Sequence, residues 1–163
     1  MPAMSDVLLR VGRLNYVWTN TESLLIYIIA HLLDIEKDAA IVVFLTLNTT
    51  RSRIDLVERL AKLPSRPPQD SKTVLALMGR LKRESKTRNK YNHCIYSFDE
   101  NGDISSTQLM RLVEDDKEVR YGKVELLDLK EVDRLEKSIS EIVAISKALW
   151  VFIRASPRFT DEM

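Results

Sequence analysis

Residues 23–33 read SLLIYIIAHLL, the most apolar run in the chain. From Leu24 to Ile29 it places apolar side chains on nearly every face of a helix. A helix that is apolar all round is either central in its domain or shared with a second chain. The run falls well short of the roughly 20 residues a membrane span needs. It is broken by His31 and followed by Asp34, so it predicts a buried helix rather than an anchor.

Working outward, the first helix is expected over about Asp6 to Ile35. Its inner stripe is Val7, Val11, Leu14, Trp18, Leu25, Ile29 and Leu32, at spacings of three and four. A second helix is expected from about Asp38 to Lys62, with Val43, Leu47, Ile54, Val57 and Ala61 inward. Pro64, Pro67 and Pro68 close it. A third starts near Gln69 or Asp70, with Ser71 as a cap. It carries Val74, Met78 and Leu81 inward and runs to about His93. A fourth runs from Leu129 to Arg154 behind the capping pair Asp128 and Glu131.

Between the third and fourth helices the chemistry changes. Ile95-Tyr96-Ser97-Phe98 suits a strand, and Asp99 to Asp103 holds the Asn101-Gly102 turn signal. Ile104 to Val113 and Val119 to Leu126 suit two more strands. The expected fold is all-α. It is an antiparallel four-helix bundle with a small β-hairpin arm, about residues 95–127, between helices three and four. All 163 residues form one domain.

Composition narrows the function classes. With 25 Lys and Arg against 24 Asp and Glu, the chain is no general polyanion coat, though a local basic patch is still open. One cysteine, Cys94, forms no internal disulfide, which points to a reducing cytoplasm. Two histidines and one cysteine exclude a Cys/His zinc site, and no metal or cofactor is expected. Met1 to Asp6 has no cationic stretch leading into an apolar run, so neither a secretory signal nor a membrane partner is expected.

Two polar interruptions of core stripes carry the candidate chemistry. On helix one, Glu22 follows Trp18 by four residues and precedes Leu25 by three, where an apolar residue belongs. A carboxylate there is paired or stands at a cleft. On helix three, the stripe Val74, Met78, Leu81 continues as Ser85, Arg88, Asn92. Alongside lies Arg88-Asn89-Lys90-Tyr91-Asn92-His93, in which Asn89 and His93 stack on one face.

Arg88, Asn89 and His93, at the end of a third helix, resemble the R-x4-6-H motif of HEPN domains. Many of these are metal-independent ribonucleases that act at a homodimer interface. The resemblance implies a catalytic pair, Arg88 and His93, with Asn89 beside it; Glu22 and Asn92, from the interrupted stripes, and Tyr96 are read as supporting residues. Tyr96 falls one place later than the tyrosine of the toxin branch. It also implies a homodimer that brings two such pairs into one cleft, with single-stranded RNA and a cognate protein as further partners. The residue types suit the task. A histidine near neutrality takes the proton of a 2′-OH, leaving 2′,3′-cyclic phosphate ends, and an arginine fork holds phosphate oxygens. As an alternative role, His93 serves as a helix C-cap.

Charge adds weight. Arg80, Lys82, Arg83, Lys86, Arg88 and Lys90 face Glu84 alone over one stretch, and Arg83, Lys86 and Lys90 are the expected RNA contacts. Another class of function stays open. In it the chain is a non-catalytic helical interaction or sensor module, and Glu22 and Arg88 form a buried structural network.

Overall fold

The computed structural model describes residues 2–159. Helices α1 (Met4–Ser23), α2 (Leu25–Leu33), α3 (Lys37–Thr46), α4 (Thr50–Ala61) and α5 (Pro68–Asn92) come first. Strands β1 (Cys94–Phe98), β2 (Ile104–Leu109), β3 (Leu112–Glu114), β4 (Val119–Tyr121) and β5 (Val124–Leu126) come next. Helix α6 (Leu129–Ala155) and a 3-10 turn at Pro157–Phe159 complete the order. The strands form an antiparallel sheet ordered β1-β2-β5 and a separate β3-β4 hairpin. The molecule is therefore mixed α and β, which corrects the expected all-α four-helix bundle.

Two expected helices are each divided. The first breaks at Leu24, whose N–H donates to Thr21 O at 3.1 Å rather than four residues back. The hydroxyls of Thr21 and Ser23 take the carbonyls of Val17 and Asn20, at 2.6 and 2.7 Å. Such back-bonding competes with the helical ladder and bends it. The second breaks at residues 47–49, because Thr49 caps α4. Its Oγ1 accepts from Ser52 N at 3.0 Å, and Ser52 Oγ in turn meets Thr49 N. The arm is also richer than expected, since the spans read as two strands, Ile104 to Val113 and Val119 to Leu126, each split in two.

The chain divides into two compact units. One holds the residues up to Tyr16 with Lys86–Ser140; the other holds Val17–Ser85 with the chain from Glu141 on. Helices α1, α5 and α6 supply residues to both.

In the second unit α2 packs against α3 and α4. Leu24, Leu25, Ile28, Ile29, Ala30 and Leu32 are all buried within the single chain. The apolar run is therefore central, and it provides no argument for a second copy. Each of the Leu and Ile side chains contributes roughly 1.5–3 kcal/mol. His31 is satisfied by Ser156 Oγ on Nδ1, at 2.8 Å, and by Asp70 Oδ2 on Nε2, at 2.9 Å. Asp34 ends α2 in the left-handed region at φ 54° and pairs with Arg158, which also donates to Ile35 O.

Glu22 belongs to this unit. It accepts from Trp18 Nε1 at 3.0 Å, Thr50 Oγ1 at 2.9 Å and Arg53 Nη1 at 3.2 Å. Arg53 also donates Nε to the Phe44 and Leu47 carbonyls, so it closes the C-terminus of α3. Glu22→Ala leaves a mostly buried guanidinium, an indole N–H and a hydroxyl without their acceptor. The expected loss is about 3 kcal/mol, read as a lower urea midpoint at unchanged slope. A variant within about 0.5 kcal/mol of the parent contradicts this.

In the first unit Gly102 takes φ +81° in the β1–β2 turn, and Asp99 Oδ1 accepts from Asn101 N and Asp103 N. Gly122 is required for another reason. A Cβ there would lie 2.3 Å from Leu109 O and 2.8 Å from Leu109 Cβ. Gly122→Ala should cost roughly 1–3 kcal/mol through overpacking. It should also speed hydrogen exchange at the Leu109 amide, which donates to Lys123 O. Unchanged exchange would show that the arm absorbs the methyl group.

Candidate functional site

The end of α5 carries the candidate site. Lys86, Asn89, Lys90 and His93 recur at helical spacing and form one wall of a groove of about 450 Å³. The other wall is Leu109, at the end of β2, with Met110 and Arg111 directly after it. Backbone bonds hold the walls together. His93 N donates to Asn89 O at 3.1 Å, ending the helix, and Met110 N donates to His93 O at 2.8 Å. His93 thus sits one residue past α5 and one before β1, its main chain tied to both walls and its side chain exposed.

The expected site residues separate into three groups. Asn89, His93, Lys86 and Lys90 come together in the groove. Arg88 lies beside it, about 100° around the helix from Asn89. Its Nη1 donates to Asn89 Oδ1 at 3.2 Å, so it orients a groove residue. Asn92 and Arg83 are exposed but do not line the groove. Glu22 belongs to the second unit, with its oxygens held as described.

Tyr96 and Lys90 are structural in their contacts. Tyr96 OH donates to Tyr91 O at 3.2 Å, and burial holds its phenol protonated well above the ordinary range. Lys90 Nζ lies 2.6 Å from Glu125 Oε2 and 2.5 Å from Glu131 Oε1. Tyr91, buried, donates its OH to the same Glu131 oxygen at 3.0 Å. Burial disfavours the Lys90 charge, but the bonds to Glu125 and Glu131 outweigh it and raise its pKa. For Glu131, burial pushes upward while Lys90 and Tyr91 pull harder downward. Glu125 is lowered chiefly by the Lys90 hydrogen bond. The Lys90 charge is thereby committed within the protein. Glu131 was expected to close a capping box; Asp128 Oδ1 does accept from Glu131 N at 2.8 Å, but the Glu131 carboxylate serves Lys90 and Tyr91. Burial raises the Cys94 thiol, which leaves it protonated and inert.

Arg111 and Met110 are the groove residues that sequence reasoning missed. Among the described residues, no carboxylate pairs with Arg111 or Lys86. The groove therefore presents two cations, an amide and an imidazole beside the apolar Leu109 and Met110. That set can hold a phosphate and exchange a proton with a neighbouring hydroxyl. Among the described residues, no group of three His, Cys, Asp or Glu side chains is placed to hold a metal ion, and no helix is long and apolar enough to cross a membrane. No family model, no curated protein and no solved structure matches the chain.

Proposed function

We propose that the chain is an RNA-directed protein of HEPN type that cleaves single-stranded RNA in the cytoplasm without a metal. The observation that carries this reading is the groove at the end of α5, where His93 and Asn89 face Arg111 with Lys86 alongside. His93 is the base that takes the 2′-OH proton. Lys86 and Arg111 hold the phosphate, and Arg88 acts through Asn89. A homodimer supplies a second Arg88 and His93, and the second histidine serves as acid. The test is incubation of the purified protein with mixed single-stranded RNA in EDTA. Cleavage that leaves 2′,3′-cyclic phosphate ends supports the proposal.

A second reading has its own observation. Lys90, expected at the RNA, is bound by Glu125 and Glu131, which is the pattern of a structural network. In this reading the chain is a non-catalytic interaction module. Absence of cleavage with retained RNA or protein binding would favour it.

A further inference from the structure

Helix α1 has two unlike faces. Val7 and Leu14 point inward and are buried. On the other side, at spacings of three and four, lie Ser5, Leu8, Leu9, Gly12 and Tyr16, all exposed. Leu8 is 50% exposed, Leu9 65% and Tyr16 70%. None of these five carries a charge, in a chain where 30% of residues do. Arg10 and Arg13 lie to one side, both on Glu136.

Gly12 is an independent observation. A Cβ there would meet nothing within 4 Å, and its φ is not positive. Nothing inside the chain asks for glycine, and glycine is the poorer helix former by comparison with alanine. In the middle of an exposed apolar face, it lets another backbone approach closely.

We propose that this face of α1 is a contact with a second copy of the chain, the two α1 helices crossing antiparallel at Gly12 on a two-fold axis. The sequence is self-complementary about that point. Leu8 and Tyr16 each lie four residues from Gly12. The antiparallel crossing therefore sets Leu8 of each copy against Tyr16 of the other, as an isologous interface requires. A charge-free face suits a partner that is charge-free in the same place, and a second copy is. A nucleic acid or an anionic surface would call for cations, which this face lacks. From Ser5 to Tyr16 the helix runs about 17 Å. One helix pair of that length buries less than about 1,200 Å² and belongs with weak, reversible interfaces. The α1 contact does not depend on the ribonuclease reading and stands without it.

Sedimentation velocity from about one to a few hundred micromolar tests it, since a weak interface dissociates in that range. A reversible monomer–dimer equilibrium is expected. Leu8→Glu and Tyr16→Glu should each weaken this association about tenfold or more with unchanged far-UV circular dichroism, whether or not a second contact forms at the groove. Gly12→Ala should raise the melting temperature of the dilute monomer while weakening the dimer about tenfold or more, a split that mere unfolding cannot produce. In a Cys94→Ser background, Gly12→Cys should form an intermolecular disulfide on mild oxidation, and Lys62→Cys should not. A monomer at every concentration, or an association that neither glutamate substitution weakens and in which Gly12→Cys forms no intermolecular disulfide, overturns the proposal.

Discussion

Lys90→Met is expected to lower the stability of the protein by about 3 kcal/mol at pH 7, and to lose most of that deficit in acid. Lys90 bridges Glu125 on β5 and Glu131 at the start of α6, and both distances are short. Methionine keeps the length and the apolar stem but leaves two neighbouring carboxylates with no cation between them. Glu125 is the more exposed of the two, so solvent screens part of the cost and the figure stays near the low end for a broken buried pair. The pH dependence comes from the directions of the shifts. In the parent, Glu125 and Glu131 are held below the ordinary carboxylate range. Their contribution is present above about pH 4.3 and is lost as pH falls through their folded pKa values. Lys90 is raised, so its contribution persists from low pH until the solution passes its folded pKa. In Lys90→Met the strongest downward pull on both carboxylates is gone, and among the described residues only Lys123 on Glu125, and Tyr91 and Arg134 on Glu131, still oppose burial and mutual repulsion. Both carboxylates titrate higher than in the parent, so the deficit is greatest at neutral pH, where they are ionised, and protonation relieves it. Urea midpoints for both proteins at pH 7 and pH 4 check this. A deficit of the same size at both pH values would mean that packing, not charge, is what Lys90 supplies.

The same residue shows where sequence reading succeeds and where it stops. Lys90 was legible as one of six cations at the end of helix three. Its partners were not, because they lie on a strand and a helix that only the folded arm brings back to α5. Elements whose signals are local came through well. Asn101-Gly102 makes the turn and Asp128 starts α6, while Pro68, read with Pro64 and Pro67 as closing the second helix, is the first residue of α5. Two helix breaks were missed for a common reason, which is that the apolar stripes run on across them. Leu47 lies in the stripe between Val43 and Ile54, yet Thr49 and Ser52 close a capping box between those two. The signal was present as a threonine followed three residues later by a serine, weaker than the usual acidic partner. At Leu24 the deciding groups are the hydroxyls of Thr21 and Ser23, which a hydrophobicity pattern ignores. The candidate site divides in the same way. His93 and Asn89 share a helix face, so spacing alone joined them. Arg111 faces them across the groove through strand register and the Met110–His93 backbone bond, neither of which is written in spacing.

His93→Ala is expected to reduce RNA cleavage on the order of 10²-fold or more, the usual effect of deleting a general acid or base, while the fold is retained. Cleavage by the proposed route begins when the 2′ oxygen attacks the adjacent phosphorus. The P–O5′ bond breaks as the new P–O2′ bond forms, which leaves a 2′,3′-cyclic phosphate on one fragment and a 5′-OH on the other. One proton leaves the 2′-OH and one reaches the 5′ oxygen, so an imidazole as base and a second as acid balance the step. Negative charge grows on the phosphoryl oxygens, where Lys86 and Arg111 are positioned to meet it. The fold survives the substitution because the bonds that hold position 93 are its main-chain N–H to Asn89 O and its carbonyl to Met110 N, and its side chain is exposed. Lys86→Ala and Arg111→Ala should act differently. As phosphate holders they should raise KM more than they lower kcat, whereas His93→Ala should lower kcat more than it changes KM. Arg88→Lys should not restore Arg88→Ala fully, since an ammonium offers Asn89 Oδ1 no planar fork. The deciding comparison is parent against His93→Ala on one single-stranded RNA in EDTA, with the ends of the products identified. Equal cleavage by both assigns the activity to another site or to a contaminant. Cleavage by the parent alone, ending in cyclic phosphate, assigns proton transfer to His93, whereas inactivity of the parent on every RNA leaves the groove a binding surface, because an exposed histidine flanked by cations recognises a phosphate whether or not it can break the bond beside it.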